Sequence, residues 1–331
     1  MHRRQRGVGL RAGFINEVAQ RPQEEQLTRR CCEILVFFFA LIPQAAAWAH
    51  GVVGDRVFLE PLITQDPTPA NEWDIQPSWV RSSDANTYTI GSSLEKVLWI
   101  DDSDVSRFSI GGGSDWQHQV PYQGPSKQGF DSLTLFAKWA PYYSLEHEFL
   151  MSLAAQIDLP TGNTGIQESS HTSLGPVFLW EKGMGDLPNS SVVKYLRPFA
   201  IQTDFGYLPA LGGPTRHEVF ADATIEYSLP YLSNNVQDIG LKWPLRNLFV
   251  FTEINYNQLT TGPPGETFPN LLATPGIAYL SYHFQVSIGT QFALNSASVP
   301  GTHAAVLGLL DIFYDSLFRV GNWTINRGMP R

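Results

Sequence analysis

Phe149-Leu-Met-Ser-Leu-Ala-Ala-Gln-Ile-Asp-Leu159 alternates with a period of two. Phe149, Met151, Leu153, Ala155, Ile157 and Leu159 are apolar, while Ser152, Ala154, Gln156 and Asp158 between them are small or polar. Leu150 is the one departure. Such alternation marks an extended strand whose two faces meet different surroundings. The run has eleven residues, about the number a tilted strand needs to cross a bilayer.

Working outward, eleven further segments of nine residues or more carry comparable patterns. They are 73–81, 88–99, 105–116, 133–141, 172–182, 195–207, 217–229, 247–258, 271–280, 284–295 and 304–314, and the opening strand itself extends to Glu148. Gly, Pro, Asn or Asp separates them, as strand punctuation does. The pattern is clearest in His217–Leu229, where Val219, Ala221, Ala223, Ile225 and Tyr227 oppose Glu218, Asp222, Thr224 and Glu226. It is weakest in Trp73–Arg81, which contains Pro77, and in Ala304–Tyr314, whose apolar residues also fit helical spacing. Apolar side chains on one face and polar ones on the other fit a transmembrane barrel with lipid outside and a lumen within. The expected fold is all-β: an antiparallel, up-and-down transmembrane barrel of about twelve strands, closed because lipid tolerates no open edge.

Long loops alternate with shorter turns, as in bacterial barrels. Gln117–Asp131, Pro160–His171, Pro209–Arg216, Thr260–Asn270 and Ser296–His303 read as extracellular. Asp101–Asp104, Tyr142–Glu146, Gly183–Lys194 and Ser281–His283 read as periplasmic. Pro230–Arg246 is long for a periplasmic turn: it is either a structured turn or hides a strand pair near Ile239–Trp243.

The first 49 residues read as a signal peptide, with Arg29-Arg30, the apolar run Ile34–Ile42, Pro43 and an Ala47-Trp48-Ala49 cleavage site. Nine apolar residues are too few for a spanning helix, which needs about 20. The polar stretch before Arg29 suggests a start site placed too far upstream, with initiation near Leu27. The expected layout is therefore signal peptide 1–49, a periplasmic segment 50–72, barrel 73–318 and tail 319–331. Cys31 and Cys32 both fall in the signal, so disulfide scaffolds and cysteine-ligated metals are excluded from the remainder. Beyond residue 49 the chain keeps 15 basic and 27 acidic side chains, of the 22 and 31 in the whole. That excess of acid argues against nucleic-acid binding and favours cations or neutral solutes.

Acids on a polar strand face would be costly against lipid. Gln156, Asp158, Gln202, Asp204, Asp222, Glu226, Glu253 and Asn255 are therefore the expected lumen residues, either tuning solute preference or forming a static hydrogen-bond network. Other motifs carry less. His171-Thr-Ser-Leu-Gly175 resembles the His-x-Ser-Asn-Gly of outer-membrane phospholipases, but Leu174 replaces the Asn. A serine nucleophile also needs its base oriented by a third group. A polar loop entering a strand is the plainer reading, and a rim-sited lipid hydrolase stays an alternative. His50, as a free N-terminus, could chelate copper, yet His118, His147, His217, His283 and His303 are scattered and match no zinc spacing. Gly111-Gly112-Gly113 lacks the Lys-Ser/Thr of a phosphate loop and suits a close-packed strand. No catalytic residue, cofactor or resident metal is expected.

Gly129-Phe-Asp-Ser-Leu-Thr-Leu-Phe-Ala-Lys138, Ala155-Gln-Ile-Asp-Leu-Pro-Thr-Gly162, Thr274–Tyr279 and Ala293-Leu-Asn295 resemble motifs of an exported proteobacterial barrel family. Its members are labelled transporters or "MetA-pathway of phenol degradation" proteins. The resemblance spans roughly residues 129–295. It implies an outer-membrane barrel of transport-associated or unknown role and carries no catalytic residues. One departure is the C-terminus: many such barrels end in an aromatic residue read by the barrel assembly machinery, whereas this chain runs past Phe318 to Arg331. The expected function is passive or selective passage of small solutes across the outer membrane, with lipid, solutes and the assembly machinery as partners. The alternative is a non-conducting structural or binding barrel.

Overall fold

The computed structural model describes residues 51–166, 171–190, 192–212, 217–260 and 269–317. The expected signal peptide, His50, Phe318 and the tail lie outside them. Two short strands, β1 (Val52–Val53) and β2 (Arg56–Val57), form a hairpin at the start. The wall follows: β3 (Glu72–Arg81), β4 (Ala85–Ile100), β5 (Ser106–Pro121), then after a flap strand β6 (Lys127–Phe130), β7 (Leu133–Ser144) and β8 (Phe149–Leu159). It continues through β9 (Ser173–Gly183), β10 (Phe199–Pro209), β11 (His217–Ser228), β12 (Leu248–Leu259), β13 (Asn270–Leu280), β14 (Phe284–Ala293) and β15 (Ala304–Ile312).

Each wall strand pairs antiparallel with its sequence neighbours, and β15 pairs with β3, which closes the sheet. β6 pairs only with β5, so twelve strands make the barrel. All twelve expected strands are present. Ala304–Tyr314 resolves into the strand β15 followed by a helical turn, Tyr314–Leu317. Pro230–Arg246 holds no strand pair. It is built from helical turns over Leu229–Val236 and Leu245–Asn247, the first capped by Ser228 Oγ, which accepts from Tyr231 N–H at 3.1 Å.

Prolines within the wall sit where the ladder already lapses, because proline has no N–H to donate. The β3–β15 pairing skips Pro77, the β13–β14 pairing skips Pro275, and the β7–β8 register shifts beside Pro141. Gly111–Gly113 lie inside β5 under Phe136, Leu135 and Ser93; a Cβ on Gly112 would come within 2.6 Å of Leu135 Cδ2.

The outer face is apolar: Leu153, Phe178, Ile225, Val250, Ile277 and Ile288 are all exposed. Aromatic rings circle the end of the barrel that carries Asp101–Asp104 and Ser281–His283, here the turn end. Neighbours touch around it: Tyr142 with Phe149, Phe149 with Trp180, Phe199 with Tyr227 and Tyr279 with Phe284. This is the amphipathic girdle of a membrane barrel.

Residues 51–71, within the segment 50–72 expected as periplasmic, run inside the barrel. A barrel of about eight strands is filled by its own side chains; twelve leave space for a length of chain. The segment carries little alternation, so nothing in its pattern marks it as lumen filling. From the β1–β2 hairpin at the turn end it climbs to Gln65, reverses, and descends to the start of β3. Gly54 (φ 68°) makes the hairpin turn against Leu145 O, a backbone conformation and an approach that both suit glycine. Val57, Leu59 and Leu62 pack with Phe249, Phe251, Ala278 and Leu309 in a buried cluster. Such burial contributes about 1.5–3 kcal/mol for each large side chain. Val53 and Phe58 pack with Val105, Ala140, Leu150 and Ala200 in a second cluster.

Candidate functional site

Inside a barrel the re-entrant segment has no strand to pair with, yet its backbone N–H groups need acceptors. The wall supplies them from side chains. Leu59 N–H donates to Glu226 Oε2 at 3.1 Å, and Glu60 N–H donates to Gln285 Oε1 at 3.0 Å. Glu253 accepts from Leu62, Ile63 and Thr64 N–H at 2.6, 2.9 and 3.1 Å. Gln65 N–H donates to Asp204 Oδ2 at 2.6 Å, and Ala70 N–H to Glu95 Oε1 at 3.1 Å. Its carbonyls are served too: Gln202 Nε2 donates to Leu59 O at 2.7 Å, Gln285 Nε2 to Glu60 O at 2.6 Å and Lys138 Nζ to Thr68 O at 3.3 Å.

A clamp holds the foot of the plug at the turn end. Arg56 Nε pairs with Glu148 Oε2 at 2.8 Å, its guanidinium stacks over Tyr231 at 4.1 Å, and it donates to Pro198 O at 3.2 Å and to Arg197 O. Glu148 also accepts from Tyr231 Oη at 2.8 Å and from Gly185 N–H at 3.0 Å. Burial and the neighbouring Glu148 carboxylate push the Tyr231 phenol up to about 12, so it stays protonated as donor.

Above the plug the lumen opens into a cavity of about 690 Å³, with Ile63 and Gln65 among its lining. Among the described residues Asp115, Asp131, Asp158, Glu218 and Asp222 line it, and no Lys or Arg does. Asp158 accepts from Thr134 Oγ1 at 2.7 Å and from Ser173 Oγ at 3.0 Å. Asp222 Oδ1 accepts from Tyr256 N–H at 3.2 Å.

The eight lumen candidates thus divide by height. Gln202, Asp204, Glu226 and Glu253 are buried and bonded to the plug. Gln156, Asp158, Asp222 and Asn255 line the cavity, where Gln156 also accepts from Gln65 Nε2 at 3.2 Å. Sequence reasoning missed the other side of each bond, since the plug shows no periodicity. It also missed Arg56, Glu148, Lys138 and Glu181. The hydroxyl of Ser173, weighed as a nucleophile, donates to Asp158. Two of the four stretches that carried the family resemblance are neighbours: Leu133 and Thr134 pair with Leu159 and Asp158, and Phe130 N–H donates at 2.7 Å to Oδ1 of Asn163, just past the second stretch.

No protein-family model matches the chain, and no curated protein does. Solved structures do match. An outer membrane channel from Pseudomonas putida F1, described as COG4313, aligns with a TM-score of 0.52 at 10% identity, over 77% of this chain and 99% of that one. The KdgM porin, solved with disordered oligogalacturonate, gives 0.41 at 8% identity over 72% and 98% of the two chains. The NanC porin gives 0.43 at 6% identity over 72% and 98%. At these identities the likeness to the Pseudomonas putida channel establishes the shared architecture, a closed barrel of the outer-membrane type.

Proposed function

We propose that this chain is an outer-membrane passage for small neutral or cationic solutes, held closed at the turn end by its own residues 51–71. The observation that carries the reading is the acidic cavity. Among the described residues, five carboxylates and no basic side chain line a space of about 690 Å³ directly above the plug. A one-signed lining concentrates counter-ions and repels anions. The resemblance of Gly129–Lys138 and Ala155–Gly162 to transporter-labelled barrels supports the same reading, since Asp131, Thr134 and Asp158 from those motifs line the cavity. The fold shared with a channel supports it too.

The polar latch suits a closure that can be released. Hydrogen bonds exchanged for water contribute only about 0.5–1.5 kcal/mol each, or about 1.5–3 kcal/mol when one partner is charged. Deleting residues 51–71 removes the plug and keeps every wall strand, since β3 starts at Glu72. In planar bilayers the whole protein is expected to show low or intermittent conductance, and the deletion variant a steady, cation-preferring one. Silence from both, with heat-modifiable gel mobility showing a folded barrel, would leave the scaffold reading standing instead.

A further inference from the structure

Among the described residues eleven carboxylic side chains but only two basic ones, Arg56 and Lys138, are buried. The two bases are spoken for: Arg56 pairs with Glu148, and Lys138 Nζ pairs with Glu95 Oε2 at 3.0 Å. Most of the other buried acids have no ion-pair partner among the described residues, and three of them meet. Glu60 rises from the plug, and Glu72 and Asp74 project from β3; one carboxylate oxygen from each lies within 4.8 Å of the others. Their exposures are 8%, 2% and 7%, and Glu60 Oε2, Glu72 Oε2 and Asp74 Oδ1 are buried without a protein hydrogen-bond partner. The wall register sharpens the problem. Asp74 stands directly opposite Asp311 of β15, and Glu72 directly opposite Glu95 of β4. Like charges in cross-strand positions destabilise a sheet, and buried unpaired oxygens add their own penalty.

We propose that Glu60, Glu72 and Asp74 bind a hard divalent cation, Ca²⁺ or Mg²⁺, that fastens the plug to the barrel wall. An all-oxygen, anionic donor set selects hard divalent cations over softer metals. One donor lies on the plug and two on the wall strand β3, so a bound ion would tie the two together. The inference does not require that the barrel conduct.

The test is calorimetric titration of the full chain in detergent, stripped with EDTA and dialysed, with CaCl₂ and separately with MgCl₂. The expected result is one saturable site for at least one of the two ions, at about 10⁻⁴–10⁻³ M, the range of extracellular calcium modules. Glu60→Gln, which lies in the plug and outside every wall strand, should weaken it at least tenfold, while Asp102→Asn at an exposed turn-end corner should leave it unchanged. A wild-type protein that binds neither ion, or a Glu60→Gln variant that binds as well as wild type, overturns the site. A second readout needs no variant: EDTA should raise trypsin cleavage after Arg56 at least several-fold, and restoring the ion that binds should reverse it. Cleavage indifferent to both ions would also overturn the proposal.

Discussion

The two halves of the lumen are lined by the same kind of residue put to different use. In the turn-end half, Gln202, Asp204, Glu226 and Glu253 spend their oxygens or amide on the backbone of residues 59–65. In the loop-end half, Asp158 and Asp222 accept from wall groups and face open space. The strands are continuous through both halves, with one alternation throughout. What differs is whether a length of chain occupies the interior, which turns an acid from a solute-facing charge into a structural acceptor.

The sharpest way to break this contrast is to excise the plug as described above, which should make the lower half resemble the upper. Next in size is Arg56→Ala. Removing one partner of a buried ion pair leaves Glu148 uncompensated, at a cost of about 3–5 kcal/mol. The hairpin foot should then detach, which proteolysis after residue 51 would register as faster release of an N-terminal fragment. Glu253→Ala is of comparable size. It strands three N–H groups, each costing about 1–3 kcal/mol where no water can reach. Faster hydrogen exchange confined to residues 62–64 is the expected outcome; protection equal to wild type would show that Glu253 does not hold the plug. Glu253→Gln, which keeps one acceptor, should fall between.

Asp158→Asn combined with Asp222→Asn addresses the upper half. The plug should remain in place, while the preference of the plug-deleted barrel for potassium over chloride falls by about twofold or more, in line with fewer charges in the lining. An unchanged reversal potential would remove these two residues from the account of selectivity.

The smallest effect belongs to Asp101 at a turn-end corner. Burial works to raise its pKa, but hydrogen bonds from Tyr143 Oη, Val105 N–H and Ser103 N–H, together with Arg107, hold it below the usual carboxylate range. A depressed folded-state pKa contributes stability above the ordinary carboxylate range, lost as pH falls through the lowered value. Asp101→Asn should therefore cost about 1 kcal/mol near neutrality, and the difference from wild type should vanish in acid. Unfolding in urea at the two pH values measures it.

Legibility differs by element for physical reasons. β8, β11 and β12 are plain in the sequence because membrane outside and polar lumen within impose a two-residue period on any strand between them. β3 and β15 are fainter, and they are where the barrel closes, with the pairing lapsing at Pro77. The connection 229–247 is legible only as too long, since short helical turns leave no period. Inward orientation of Glu226 and Glu253 follows from alternation, but their partners, Leu59 and Leu62–Thr64, lie more than 150 residues away. The acids Glu60 and Glu72 fall in a stretch without periodicity, so neither was singled out.

By itself the sequence determines twelve strands, the apolar outer face and the acidic inner one, because each follows from the surroundings of a single strand. Tertiary structure alone decides that residues 51–71 fill the lower lumen, that Asp204, Glu226 and Glu253 of the five expected lumen acids serve as acceptors for that segment, and that Glu60 meets Glu72 and Asp74. Those relations arise only once the wall has closed and its interior, too wide for side chains alone, takes in a stretch of backbone whose N–H groups need partners.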